Sequence, residues 1–252
     1  MHIFLGLWLG AVLVSAAAPV PAAGGLVVLE LFTSEGCNSC PPAEEELKQL
    51  VRENPNGSVL ALAYHVDYWD HLGWADPFAD PRNSDRQRAY DAILSPARVY
   101  TPQMIVNGAY ETVGSSEQQL PRLIAKARAA PVAVEIAVIG VRPVDGGWEV
   151  DYAASGRLEQ ATVFAALVES GLESKITAGE NKGMLLTHDH VVRGFAEADL
   201  ADSGTLRLAS PGVDLERSEI VVLAHDRASR RVLGGARAGL SGSLEAAPAP
   251  RE

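Results

Sequence analysis

Only two cysteines occur in the 252 residues, and they fall together: Cys37 and Cys40, within Phe32-Thr33-Ser34-Glu35-Gly36-Cys37-Asn38-Ser39-Cys40-Pro41-Pro42. The apolar run Leu26 to Phe32 reads as a strand. Ala43 to Glu53 carries Leu47, Leu50 and Val51 on one stripe and reads as a helix. A tight turn must join the two and deliver both thiols to the helix start. Residues three apart on a helix share a face, so the sulfurs can meet when Cys37 sits at the cap and Cys40 in the first turn. Pro41 and Pro42 suit that turn, which has no use for their missing N–H groups. The positive end of the helix lowers a thiol pKa from about 8.5 toward the thiolate range. Glu35, Glu44, Glu45 and Glu46 oppose that effect, and the three consecutive glutamates read as a solvated helix face.

Four readings of the pair compete: a structural crosslink, half of a zinc site, two inert thiols, or a redox couple. Closing so small a loop restricts the unfolded chain little, which weakens the first. No second Cys-X-X-Cys supplies the remaining zinc ligands. Cys-X-X-Cys after a strand and opening a helix is the spacing used for thiol–disulfide exchange, and the redox reading is favoured. It needs no cofactor. A formal net charge of −11 argues against nucleic acid as a partner.

The chain opens with an apolar run, Ile3 to Ala18, followed by Ala/Pro-rich sequence to Gly25. Residues 1–23 read as a signal peptide cleaved between Ala18 and Ala23, leaving no stable membrane span. A periplasmic or secreted location follows, where disulfides persist.

Val59 to Val66 is an unbroken apolar run, as expected of a strand buried on both faces. Residues 65–81 then gather two His, four Asp and four aromatic residues. They read as an ordered loop, as a lip over the redox site using Trp69 and Trp74, or as metal ligands His65, Asp67 and His71. Asn83 to Leu94 reads as a helix. Gln103 to Val106 reads as a strand turned by Asn107-Gly108, and Ser116 to Ala129 as a closing helix. From Pro131 onward apolar residues alternate, beginning with Val132, Val134, Ile136 and Val138, and seven short strands suggest a β-sandwich. Among them, Leu185 to Arg193 reads as one strand with His188 and His190 on a single exposed face, a pair conceivable as metal ligands.

Three segments, Phe32 to Pro42, His65-Val66-Asp67-Tyr68-Trp69 and Tyr100-Thr101-Pro102-Gln103, together resemble an uncharacterised secreted bacterial family, domain of unknown function 1223, held to be thioredoxin-like. The resemblance implies that Cys37 attacks, Cys40 resolves, and a cis Thr101-Pro102 peptide docks substrate. Asn38-Ser39, between the cysteines, differs from familiar members and leaves the direction of electron flow open.

The expected fold class is therefore an α/β thioredoxin-like N-terminal domain, residues 24–130, then a mostly antiparallel β-sandwich C-terminal domain, residues 131–239, and a disordered tail, 240–252. The expected function is a thiol–disulfide oxidoreductase with protein or small-molecule disulfides or thiols as partners. Catalysis falls to Cys37 and Cys40, and substrate binding to Thr101, Pro102, Trp69 and Trp74. The alternatives are a secreted copper or zinc protein using the cysteines with His65 or His71, and a non-catalytic envelope interaction protein.

Overall fold

The computed structural model describes residues 25–94, 98–210 and 212–240. The signal-peptide expectation, and the tail beyond Leu240, lie outside them.

The chain begins as its local pattern predicts. Strand β1 (Val27–Thr33) feeds helix α1 (Pro41–Arg52), which returns to β2 (Val59–His65), parallel to β1. A 3-10 helix (Asp67–Leu72) and helix α2 (Pro81–Asp91) follow, the latter capped by the Asp80 carboxylate on the Arg82 N–H. Strands β3 (Gln103–Val106) and β4 (Tyr110–Val113) form the expected hairpin, with Asn107 and Gly108 both at positive φ in its turn. Asn107 also extends the sheet with its side chain, accepting from the Val28 N–H and donating to the Leu26 carbonyl. Helix α3 (Leu120–Arg128) closes this part.

The second half departs from expectation. Strands β5 (Val134–Val144), β6 (Gly147–Gly156) and β11 (Ser203–Ala209) form a sheet in the order β11-β6-β5. Strands β7 (Ala161–Glu169), β10 (Val191–Asp199), β12 (Ser218–Asp226) and β13 (Val232–Gly239) do not build a sandwich of their own. They extend the first sheet into one of eight strands, β13-β12-β7-β10-β2-β1-β3-β4. Two short strands, β8 (Leu172–Lys175) and β9 (Leu185–His188), pair with each other. The expected fold class, an α/β thioredoxin-like unit followed by a separate sandwich, is overturned: the described chain is mostly strand, and one mixed sheet draws on both halves.

The physical reason is legible in β7. All nine of its residues are buried, like all seven of β2. A strand buried on both faces belongs in the middle of a covered sheet. One face of the eight-stranded sheet packs around Tyr64, Tyr90, Phe164 and Leu223 beneath α2. The other face is covered twice. α1 and α3 lie over β1 to β3, with Leu29, Leu47 and Ile124 between them. The three-stranded sheet lies over β7, β12 and β13, with Val150, Leu208, Leu167 and Val222 in its core.

Within the sheet the strands of the two halves join at a narrow seam. β10 joins β2 through one residue pair, Val191 with Ala63, and the Ala63 N–H donates to the His190 carbonyl at 2.7 Å. The residues just before that seam reach under α1 and define the site below.

Candidate functional site

Cys37 and Cys40 form a disulfide with a Cα–Cα distance of 5.4 Å. The helix begins slightly later than the sequence suggested. Cys40, not Cys37, is the N-cap residue, with Pro41 at the first helical position. Cys37 sits in the preceding turn, where its N–H donates to the Ser34 carbonyl and its own carbonyl accepts from the Cys40 N–H. Two prolines at the start remove two of the free donors that would otherwise face an anion. The helix end therefore polarises Cys37 less than its spacing implied.

Both sulfur-bearing residues are buried, Cys37 at 1% exposure and Cys40 at 0%, while Asn38 and Ser39 between them are exposed. The cover is built from distant parts of the chain. Asn181 donates through Nδ2 to the carbonyls of Glu35 (2.7 Å) and Cys37 (3.1 Å). Glu180 accepts from the Asn38 N–H.

The four residues expected to bind substrate lie in the surrounding loops. Trp69 Nε1 donates to Thr101 Oγ1 at 2.8 Å, and Trp74 Nε1 to Glu35 Oε2 at 2.7 Å. The Thr101-Pro102 peptide is cis. Its position follows from register: Gln103 pairs with Phe32, so Pro102 lies beside the end of β1 where the cysteine turn begins. A Cβ on Gly114 would lie 2.8 Å from Cβ of Ala43 in α1 and 3.3 Å from Cβ of Pro102, so the two elements crowd the same spot.

Behind the cysteines lies a buried charged cluster that the sequence reading assembled only in fragments. His188 bridges two carboxylates: its Nε2 is 2.9 Å from Glu35 Oε1 and its Nδ1 is 2.5 Å from Glu44 Oε2. Thr33 Oγ1 donates to the other oxygen of Glu44 at 2.6 Å. Alongside, His65 Nδ1 is 2.7 Å from Asp76 Oδ2, which also accepts from the Glu35 N–H. The two imidazoles meet edge to face at 4.9 Å, and Phe78 packs against both.

The electrostatics follow from opposing effects. Burial pulls the His188 imidazole down, but hydrogen bonds to Glu35 and Glu44 outweigh it and raise the pKa to about 10. Burial also opposes charge on His65, and Asp76 overcomes it, for a net upward shift. Burial would raise Glu44 and Asp76; their imidazole partners instead hold both below the usual carboxylate range.

Several expectations are corrected here. Glu44 is not on a solvated face; its side chain is 12% exposed and turned onto His188. His188 and His190 do not share a strand face, because β9 ends at His188 and His190 turns the chain at a φ of 60°. His188 is buried, not exposed. His65 lies in the cluster, while Asp67 bonds to Ser84 and His71 is exposed, so that trio does not converge. The sequence did hold a signal for His188: alternation in Leu185-Leu186-Thr187-His188 puts it on the same inward face as Leu186. Asn181, in a Gly-flanked loop, offered none.

A mixed eight-stranded sheet carrying a Cys-X-X-Cys disulfide where a strand gives way to a helix defines the class of protein. Residues 28–224 match the family described as "Protein of unknown function (DUF1223)", and the chain belongs to that family. Among solved structures it is similar to an Agrobacterium tumefaciens protein known from X-ray crystallography. The two are 27% identical with a TM-score of 0.62, over 88% of this chain and 97% of that one. A β-glucosidase from Kluyveromyces marxianus, crystallised with glucose, aligns at 12% identity and a TM-score of 0.23 over 43% of this chain and 14% of its own, and carries no argument. No curated protein matches.

Proposed function

We propose that this protein is an exported thiol–disulfide exchange protein acting through Cys37 and Cys40. The observation that carries the reading is the disulfide itself, closed between residues three apart at the junction of β1 and α1. A loop that small contributes little to stability by constraining the unfolded chain. Its placement suits chemistry better than stapling. The apolar, small-residue-rich start of the chain supports export to an oxidising compartment.

In the oxidised protein a partner thiolate attacks Cys37 Sγ, the Cys37–Cys40 bond breaks, and Cys40 departs as a thiolate. A second partner thiol then attacks the mixed disulfide, leaving both cysteines reduced and the partner oxidised. The reverse sequence begins with Cys37 thiolate on a partner disulfide, and Cys40 resolves it. Partners are protein or small-molecule thiols and disulfides. In this reading Trp69, Trp74, Thr101 and Pro102 supply apolar and backbone contacts to them. Because both cysteines are buried, exchange requires a local opening of the turn, which Asn181 latches through the Glu35 and Cys37 carbonyls.

The test is turnover of insulin or a disulfide-linked peptide by the wild type and by Cys37→Ser. The wild type turns over substrate and the variant does not. Equal rates would remove the redox reading and leave a structural crosslink, the reading that burial of both cysteines favours.

A further inference from the structure

Outside the cysteines, His65 is an unusual group. It is fully buried at the end of β2, its Nδ1 is held by Asp76, and its Nε2 has no hydrogen-bond partner among the described residues. An orphaned imidazole nitrogen in a dry interior costs about 1–3 kcal/mol. Nearby, one ligand atom each from Glu44, His65 and His188 all lie within 4.8 Å of one another.

We infer that Glu44, His65 and His188 form a binding site for a divalent transition-metal ion, Zn2+ foremost, separate from the cysteine sulfurs. Three features support it. Two imidazoles and one carboxylate are a ligand set that Zn2+ takes while keeping a further position open. Each imidazole has one nitrogen fixed by a buried carboxyl group, Asp76 on His65 Nδ1 and Glu35 on His188 Nε2. That outer pairing is how ligating histidines are oriented and made more basic. The remaining nitrogens are free (His65 Nε2) or shared with the third ligand (His188 Nδ1 with Glu44). An ion would stand where a proton now lies between His188 and Glu44 and would satisfy His65 as well. Tetrahedral bonds of about 2.0–2.2 Å place ligand atoms about 3.3–3.6 Å from one another, so side-chain atoms now up to 4.8 Å apart must close in by about 1 Å or more.

The ligands come from α1, β2 and β9, which puts the site at the seam between the two halves of the large sheet. An ion there ties residues 144 apart in sequence more firmly than the present hydrogen bond does.

The experiment is calorimetric titration of Zn2+ into purified protein, stripped with chelator and kept oxidised so that no thiolate is available. Co2+ serves as an optical probe of the ligands. One ion per chain is expected, without thiolate-to-cobalt charge-transfer absorption. Affinity should fall at least tenfold in both His65→Gln and Glu44→Gln, and about 10–100-fold in Asp76→Asn. His71→Gln, altering an exposed histidine, should bind as wild type does, and so should the double variant Cys37→Ser/Cys40→Ser, which removes both thiols and separates this site from the exchange activity. No uptake by the oxidised wild type would overturn the proposal, a result independent of whether any variant folds. So would uptake that His65→Gln and Glu44→Gln leave intact, or uptake seen only after reduction, which would put the ion on the thiolates.

Discussion

Asn181 holds the carbonyl of Cys37 across 144 residues of chain, at 3.1 Å, with the same amide group that binds the carbonyl of Glu35. A side chain from the second half of the sequence thus latches the turn that carries the cysteines. The Cys37 carbonyl also accepts from the Cys40 N–H within the turn, and Asn181 adds a bond to it from outside the turn.

Asn181→Ala should therefore do two things. Stripping a buried amide from two carbonyls should destabilise the protein by about 1–3 kcal/mol in urea unfolding. The Cys37–Cys40 bond should also be reduced severalfold faster by a small thiol, read as the rate of free-thiol appearance in native buffer. An unchanged reduction rate would show that this loop does not govern access.

A second buried cluster bears on stability alone. Glu30, inside β1, takes hydrogen bonds from Arg86 Nε (2.6 Å) and Tyr90 (2.5 Å), and the Arg86 guanidinium lies 4.2 Å from the Phe164 ring centre. Burial would raise the Glu30 carboxyl, and Arg86 more than offsets this, holding it below the usual range. Arg86→Met strands a buried carboxylate and should cost about 3–5 kcal/mol. Adding Glu30→Leu should recover most of that loss, because the uncompensated charge goes with it. Chemical denaturation of the single and double variants measures both; a double variant no better than the single would contradict the account.

The pH dependence should be acid-sensitive through His225. Both of its ring nitrogens are buried without hydrogen-bond partners among the described residues, and burial, reinforced by Arg86, pushes its pKa down to about 4. In the unfolded chain the group titrates near about 6.5. Above that value it is neutral in both states and its full contribution is present. As pH falls from about 6.5 to 4 only the unfolded chain takes up the proton, and stability is lost, by on the order of 3 kcal/mol at most. Burial lowers His190 likewise, to about 4, and it acts in the same direction. His225→Phe should flatten the slope of unfolding free energy between pH 6.5 and 4. A slope as steep as the wild type's would rule out His225 as its source.

What could be read from sequence was local. The strand–turn–helix around Cys37, the Asn107-Gly108 hairpin and the doubly buried strand β2 each rest on adjacent residues, and all three are present. The architecture failed where long-range pairing decided it. Alternation in β5 and β6 does not hold for the whole second half: Ala161 to Glu169 carries the same unbroken apolar signal as β2 and sits in the same sheet. The site failed for a related reason. Glu44 looked like one of three solvated glutamates because its partner His188 stands 144 residues away, and no periodicity within α1 reports such a contact. In the sequence His65 stands beside Asp67 and His71, whereas in the fold its companions Glu44 and His188 come from α1 and β9.

The central claim, that Cys37 and Cys40 exchange electrons with partners, is tested most directly by their equilibrium with a glutathione redox buffer. Measured by thiol alkylation and mass spectrometry, this yields the reduction potential of the pair. A value between about −120 and −270 mV, the span of proteins that donate or accept disulfides, is the result expected. A value below about −300 mV, where structural disulfides lie, would contradict it.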